Sequence, residues 1–172
     1  MLFEEITEKD FDFITEVYNY YILNSTCIYF TIPLSVDDVK SIIPFNHPTY
    51  KTYVAKINNE TIGFCYFNRF QKRQAFDISV EIAIYIAPAH TKKGYGQKML
   101  SFLEILIQKN NFQNIVATVN STNNESVKLF KRNHYKCVGK FNNIAKKFDQ
   151  KLTLLFYQKE LHLKNVFRLQ CR

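Results

Sequence analysis

Ile84-Tyr85-Ile86-Ala87-Pro88-Ala89-His90-Thr91-Lys92-Lys93-Gly94-Tyr95-Gly96-Gln97-Lys98-Met99-Leu100 is the stretch whose reading decides the fold. An apolar strand ends at Pro88, a short basic loop with two glycines follows, and an amphipathic helix then opens. The first N–H groups of a helix lack intrahelical partners, and the helix dipole adds partial positive charge there. Gly94 and Gly96 let a phosphate approach the backbone, while Lys92, Lys93 and Lys98 add full charges. The stretch therefore predicts a site for a phosphorylated ligand. The G-x-G pair alone is weak evidence, because it lacks the third glycine of the dinucleotide fingerprint and the Gly-Lys-Ser/Thr of a P-loop.

Working outward, the strand extends back to Ile78, and the helix runs from about Gly94 to Lys109. The apolar run Ile115–Val119 reads as a buried strand, so the helix forms a crossover between neighbouring parallel strands. Asn123–Arg132 follows as a second helix, with Asn123 a good N-cap. Strands near Tyr135–Lys140 and Lys151–Glu160 close the pattern. Upstream lie a strand at Leu2–Ile6, a capping turn at Thr7-Glu8-Lys9-Asp10, and a helix carrying Phe11, Ile14, Val17, Tyr18 and Tyr21. A loop spans Asn24 to Pro33, and Ser35 caps a short helix. Tyr53–Ile57 and Ile62–Asn68 form a hairpin around Asn58-Asn59-Glu60. Strands alternating with helices, with hairpins at both ends, predict an α/β (α+β) fold around a mixed sheet.

The chain has 172 residues, which suits one domain with a sizeable core. Sixteen phenylalanines and eleven tyrosines predict a core packed largely with rings. The net charge of +8 favours an anionic partner. The basic residues are scattered, not gathered into the stripe or tail of a nucleic-acid binder. Cys27, Cys65, Cys137 and Cys171 are far apart and include no C-x-x-C, so their spacing predicts neither a zinc site nor a redox pair. His47 and His134 have no partners at metal-ligand spacing, and no metal is expected. No window reaches the ~18 apolar residues of a membrane span. The acidic start Met1-Leu2-Phe3-Glu4-Glu5 has no signal-peptide character, and a reducing cytoplasm is the expected location.

Two groups of residues then carry a resemblance. Ile84 to Leu100, followed by Asn123-x-x-Ser126-x-x-Leu129-Phe130 and Tyr135, resembles the GCN5-related N-acetyltransferases (GNAT). Val17-Tyr18-Asn19, Asn24-Ser25-Thr26, Tyr29, Pro33, Phe70-Gln71-Lys72-Arg73, Val80-Glu81, Val138-Gly139 and Lys147-Phe148 extend it to the phosphinothricin and L-amino-acid N-acetyltransferase branch. The resemblance implies a single GNAT domain over residues 1–161, with a central mixed, mostly antiparallel twisted sheet flanked by helices. Residues 162–172 would be a C-terminal extension. The implied donor is acetyl-CoA, held by Ile84, Tyr85, Ile86, Lys92, Lys93, Gly94, Tyr95, Gly96, Gln97, Asn123, Ser126 and Phe130.

The implied acceptor is a small primary amine, an L-amino acid or a phosphinothricin-like analogue, contacted by Tyr29, Arg73 and Lys147. Glu81 occupies the position of the branch's general base. From the residues alone it is a lone carboxylate in the apolar run Val80–Ile84, and pairing with Arg69 or Arg73 is its alternative role. Because no cysteine sits in a nucleophile constellation, direct transfer in a ternary complex is expected. Relatives are often dimers, so a homodimer is implied. Four positions depart from the family pattern. Thr91 replaces Arg or Gln before the glycines, His134 replaces a glycine, and Gln71 replaces an arginine. Phe130 stands where many relatives carry Tyr or His, and it cannot donate a proton. Acetylation of a peptide N-terminus or polyamine is the alternative reaction. The alternative of another class is a CoA- or nucleic-acid-binding module without catalysis.

Overall fold

The computed structural model describes residues 1–161, and the expected extension at 162–172 lies outside them. Seven strands form one sheet in the order β1-β2-β3-β4-β5-β7-β6. They are β1 (Leu2–Glu5), β2 (Lys51–Ile57), β3 (Glu60–Arg69), β4 (Ser79–Ile86), β5 (Asn114–Asn120), β6 (Lys136–Lys147) and β7 (Gln150–Glu160). Every neighbouring pair is antiparallel except β4–β5, as the mixed-sheet expectation requires. β6 runs seven residues beyond the expected end at Lys140. Its two register shifts, at Cys137/Gly139 and Phe141/Ala145, break the alternation that would have marked it as a strand.

Four helices cover the sheet: α1 (Phe11–Asn24), α2 (Val36–Ile42), α3 (Tyr95–Lys109) and α4 (Asn124–Arg132). α2 starts where Ser35 and Asp38 form a capping box. α3 buries Met99, Leu100, Leu103 and Ile107 completely, the three- and four-residue spacing of a single helical face. Removing each such side chain from water is worth about 1.5–3 kcal/mol, so this stripe fixes how α3 lies on the sheet.

Side chains alternate across β4 and divide its duties. Val80, Ile82, Ile84 and Ile86 join the core shared with α3 and α4. Tyr85 points to the opposite core, beside Tyr18 of α1 and Phe64 and Tyr66 of β3. Glu81, four residues before Tyr85, faces that same side.

The parallel pairing between β4 and β5 is short. Ser79↔Asn114, Val80↔Ile115 and Glu81↔Val116 are its three register pairs. Beyond them β4 remains paired to β3 up to Gly63↔Ile86, while β5 remains paired to β7 up to Asn120↔Leu154. The two central strands therefore fork after Glu81. Gly63 holds the far end of the β4 prong, since a Cβ there would press into the Tyr85 carbonyl oxygen and crowd the Ile86 Cα. Backbone cannot give way as a flexible side chain can. Gly63→Ala is expected to cost about 1–3 kcal/mol, which lowers the melting temperature by roughly 2–10 °C in a domain of this size, read by thermal unfolding.

Candidate active site

The fork opens into a cleft of about 510 Å³, walled by the outer half of β4 (Ile82–Ile86), the end of β5 (Ala117–Asn120), the loop entering α3, and α4. Past Glu81 the β4 backbone has a strand on one side only. Of the groups pointing toward the gap left by β5, the Ile86 carbonyl accepts from the Tyr21 hydroxyl at 2.7 Å, and those before it are left to pair with an extended ligand.

At one end of the cleft lies the N-terminus of α3. Gly94, at φ +76°, turns the chain into the helix through the left-handed region, and no protein atom lies within 4 Å of the position a Cβ would take. Backbone conformation, not crowding, demands glycine there. Lys92 shares this handedness at φ +59°. No side chain caps α3, whereas Ser35 caps α2 and Asn123 caps α4. The leading N–H groups of a 15-residue helix are thus left for an anion. Lys92, Lys128 and Arg132 line the same cleft and supply full positive charge. Lys93 instead donates to the Ala89 carbonyl at 3.2 Å and closes the loop on itself. Thr91, where the family pattern has Arg or Gln, donates its hydroxyl to Pro88 O at 3.0 Å.

Gly96 is helical, and a Cβ on it would make ordinary contacts with Leu129 and Ile86 across the cleft. Gln97 exchanges two amide hydrogen bonds with Asn133, at 2.6 and 2.8 Å, joining the start of α3 to the end of α4. Asn123 accepts from Ser126 N–H at 3.2 Å as the α4 cap, and its Nδ2 donates to Cys27 Sγ at 3.1 Å. Phe130 is buried, packed on Tyr135 and Tyr157, and its ring forms part of the cleft wall.

Glu81 sits at the base of the fork, half-buried, and Thr118 Oγ1 donates to its Oε1 at 3.0 Å. Burial pushes its carboxyl pKa above the ordinary range, and the Thr118 hydrogen bond pulls part of the way back. Among the described residues no cation pairs with it. Arg69 is committed elsewhere, to Asp77 at 3.3 Å and to the Tyr50 hydroxyl at 3.2 Å.

The expected acceptor residues divide. Tyr29 is partly exposed, and its hydroxyl pKa is pushed up to about 12 by burial first and then by Cys27 and Glu81. Lys147 is only 3% exposed, and its Nζ donates to Ile28 O at 2.8 Å, placing a cation behind Cys27. Burial lowers its pKa. None of these three residues, nor Glu81, is part of the cleft wall itself. Arg73 lies exposed on the turn before a short 3-10 helix at Gln74–Phe76.

Several polar wall residues, among them Tyr21, Cys27, Thr118, Asn120, Lys128 and Arg132, were not picked out by sequence reasoning as site residues. Thr118 carried a signal, as the one polar residue inside the run Ile115–Val119. Tyr21 reaches the wall from α1, where its hydroxyl donates to Ile86 O at 2.7 Å. Cys27 and Asn120 depend on the loop after α1 folding back across the end of β5. Asn120 Nδ2 donates to Thr26 O at 3.3 Å, Asn123 holds Cys27, and Lys147 holds Ile28. Three consecutive loop residues are thus fastened by side chains from three separate parts of the fold.

A strand, a basic loop and an uncapped helix start are the arrangement the sequence resemblance implied, and the fork between the parallel strands is what the structure adds. The acetyltransferase (GNAT) family model matches residues 16–135. The chain belongs to the GNAT family. It is 27% identical over 149 residues to the L-methionine sulfoximine/L-methionine sulfone acetyltransferase of Salmonella typhimurium, covering 86% of this chain and 87% of the relative. It is 24% identical over 161 residues to the phosphinothricin N-acetyltransferase of Streptomyces viridochromogenes, covering 91% and 86%. Among solved structures, the GNAT superfamily phosphinothricin acetyltransferase of Sinorhizobium meliloti in complex with acetyl-CoA superposes with a TM-score of 0.87 at 26% identity, covering 93% of this chain and 88% of that one. This protein is therefore a GNAT N-acetyltransferase with acetyl-CoA as donor, similar to relatives named as phosphinothricin and amino-acid acetyltransferases.

The raised pKa of Glu81 carries a stability consequence. A carboxyl whose folded pKa exceeds its unfolded one binds more protons in the native state, so its contribution falls as pH rises through that window. Glu81→Gln removes this penalty. The variant is expected to melt higher than the parent at pH 8, with the advantage disappearing below about pH 4, the ordinary glutamate pKa, as followed by circular dichroism.

Proposed function

We propose that this GNAT enzyme acetylates the primary amine of a small L-amino acid or phosphinothricin-like analogue, by direct transfer in a ternary complex with Glu81 as general base. The observation that carries the proposal is the half-buried Glu81 carboxylate, without a cation among the described residues, at the base of the fork. A carboxylate with a raised pKa at that point is suited to take a proton near neutral pH.

The donor supplies an acetyl thioester. For the protein's part, the uncapped α3 N-terminus with Lys92 suits the cofactor diphosphate, and the free edge of β4 offers N–H groups to an acyl oxygen. Glu81 takes a proton from the acceptor ammonium, leaving a neutral nitrogen competent to attack. Phe130 can give no proton to the departing thiolate, and its ring contributes apolar wall. The names of the amino-acid acetyltransferase relatives support an amino-acid acceptor. So does Lys147, a buried ammonium that no carboxylate of the described residues balances, next to a loop residue of the cleft wall.

A homodimer is the assembly we favour, supported by Val138, Phe141 and Ile144 exposed on the edge strand β6. A reducing cytoplasm suits the free thiols of Cys27, Cys65 and Cys137.

The test is release of free thiol from acetyl-CoA with a panel of amines. Amino acids and their phosphinate or sulfoximine analogues are expected to turn over faster than polyamines or peptides. Glu81→Gln should lower kcat by about 10²–10⁴-fold. Lys147→Met should raise the acceptor KM about tenfold or more while leaving the acetyl-CoA KM near the parent value. Absence of turnover with every amine would sink the reading, and full activity in Glu81→Gln would remove the base.

A further inference from the structure

We propose that Thr118 is the positioning residue for Glu81: its hydroxyl bridges the fork, holds one carboxylate oxygen, and leaves the other to receive the acceptor's proton. The inference rests on Glu81 acting as the base. Backbone pairing between β4 and β5 stops at Glu81↔Val116. Thr118 lies two residues further along β5, on the face shared with Val116, so the strand rise carries it about 6.6 Å past that last pair. Even so, Thr118 Oγ1 and Glu81 Oε1 are 3.0 Å apart. The side-chain bond continues the link between the strands one step beyond the backbone, and Thr118 is itself part of the cleft wall.

Chemistry fits the placement. A threonine hydroxyl has one proton to give, and the β-branched side chain is stiff at χ1, so the position of the donor oxygen is fixed. A glutamate without this tie would be free to rotate about its three side-chain torsions. With Oε1 engaged, proton transfer breaks one N–H bond of the acceptor ammonium and forms an O–H bond at Oε2. The nitrogen lone pair is thereby released, and no oxidant or reductant is needed.

The groups that share electrostatic interactions with Glu81 are Tyr66 from β3, Tyr85 from its own strand and Tyr29 from the loop after α1. Tyr18 of α1 lies behind, its hydroxyl 3.2 Å from that of Tyr66. All four phenols titrate above their ordinary range, so they remain neutral where the enzyme works. Burial and the Thr118 bond are then the two opposing influences on Glu81.

Thr118→Val keeps the shape and removes the donor, Thr118→Ala does so without β-branching, and Thr118→Ser retains it. In the 172-residue chain, Thr118→Val is expected to lower kcat about tenfold at pH 7, with the acetyl-CoA KM within about twofold of the parent. The acidic limb of kcat/KM should move upward by about one pH unit, because the influence that lowers the Glu81 pKa is gone. Thr118→Ser should restore both. A carbon-13 titration of the Glu81 carboxyl in the ligand-free protein should move upward by the same amount in Thr118→Val, independently of activity. An unmoved limb and unmoved titration in both Thr118→Val and Thr118→Ala would overturn the proposal. Glu81→Gln separates the two readings. If the acidic limb survives in that variant, the base assignment fails. If Glu81→Gln abolishes the limb but Thr118→Val leaves it in place, only the role of Thr118 fails.

Discussion

Three parallel register pairs hold β4 to β5, and then the strands part. Most of the site follows from that divergence. A strand in the middle of a sheet spends both rows of its polar backbone on its neighbours, but the outer half of β4 spends only one. A buried N–H or C=O left unpaired costs about 1–3 kcal/mol, so the free row must face water or a ligand able to pair with it. The cleft meets that requirement, because it is where the second strand would have been. The helices close its sides. α3 is set by its completely buried stripe, and α4 by the ring of Phe130 between Tyr135 and Tyr157.

The cleft wall toward the helices is mainly basic, with Glu125 beside Lys128, and the acidic Glu81 lies at the fork next to it. Toward α3 and α4, an uncapped helix start combines with Lys92, Lys128 and Arg132. At the fork itself, Glu81 carries the negative charge, moderated by a single hydroxyl. An uncapped basic helix start and a carboxylate thus lie on either side of the unpaired half of β4. Burial makes the charged carboxylate costly to stability.

The loop after α1 completes the cavity through contacts that are long in sequence and short in space. Thr26, Cys27 and Ile28 are held by Asn120, Asn123 and Lys147, partners 94, 96 and 119 residues away. Asn123 therefore serves twice, as the cap of α4 and as the clamp on Cys27. Gln97 works similarly, since its amide ties α3 to Asn133 of the α4 terminus. Both were expected to be cofactor-site residues, and each has a structural task in the protein itself.

Local chemistry made much of this readable in advance. The strand, proline, basic loop and helix order of Ile84 to Leu100 is a short-range pattern, as are the Asn123 cap and the isolated carboxylate of Glu81. Those residues fall where their spacing implied. β6 was legible only to Lys140, because its bulges erase the period-two signal. Arg73 could be matched by motif but not placed, since nothing local fixes where an exposed turn points. By itself, the sequence determined the element order, the two faces of β4 and the unpartnered α3 N-terminus, all set by periodicity and capping within a few residues. Tertiary structure alone decided that Thr118 meets Glu81 across the fork, that Lys147 lies behind Cys27, and that Arg73 lies outside the cleft. Those outcomes depend on how far two strands diverge and where a loop returns, distances no local pattern encodes.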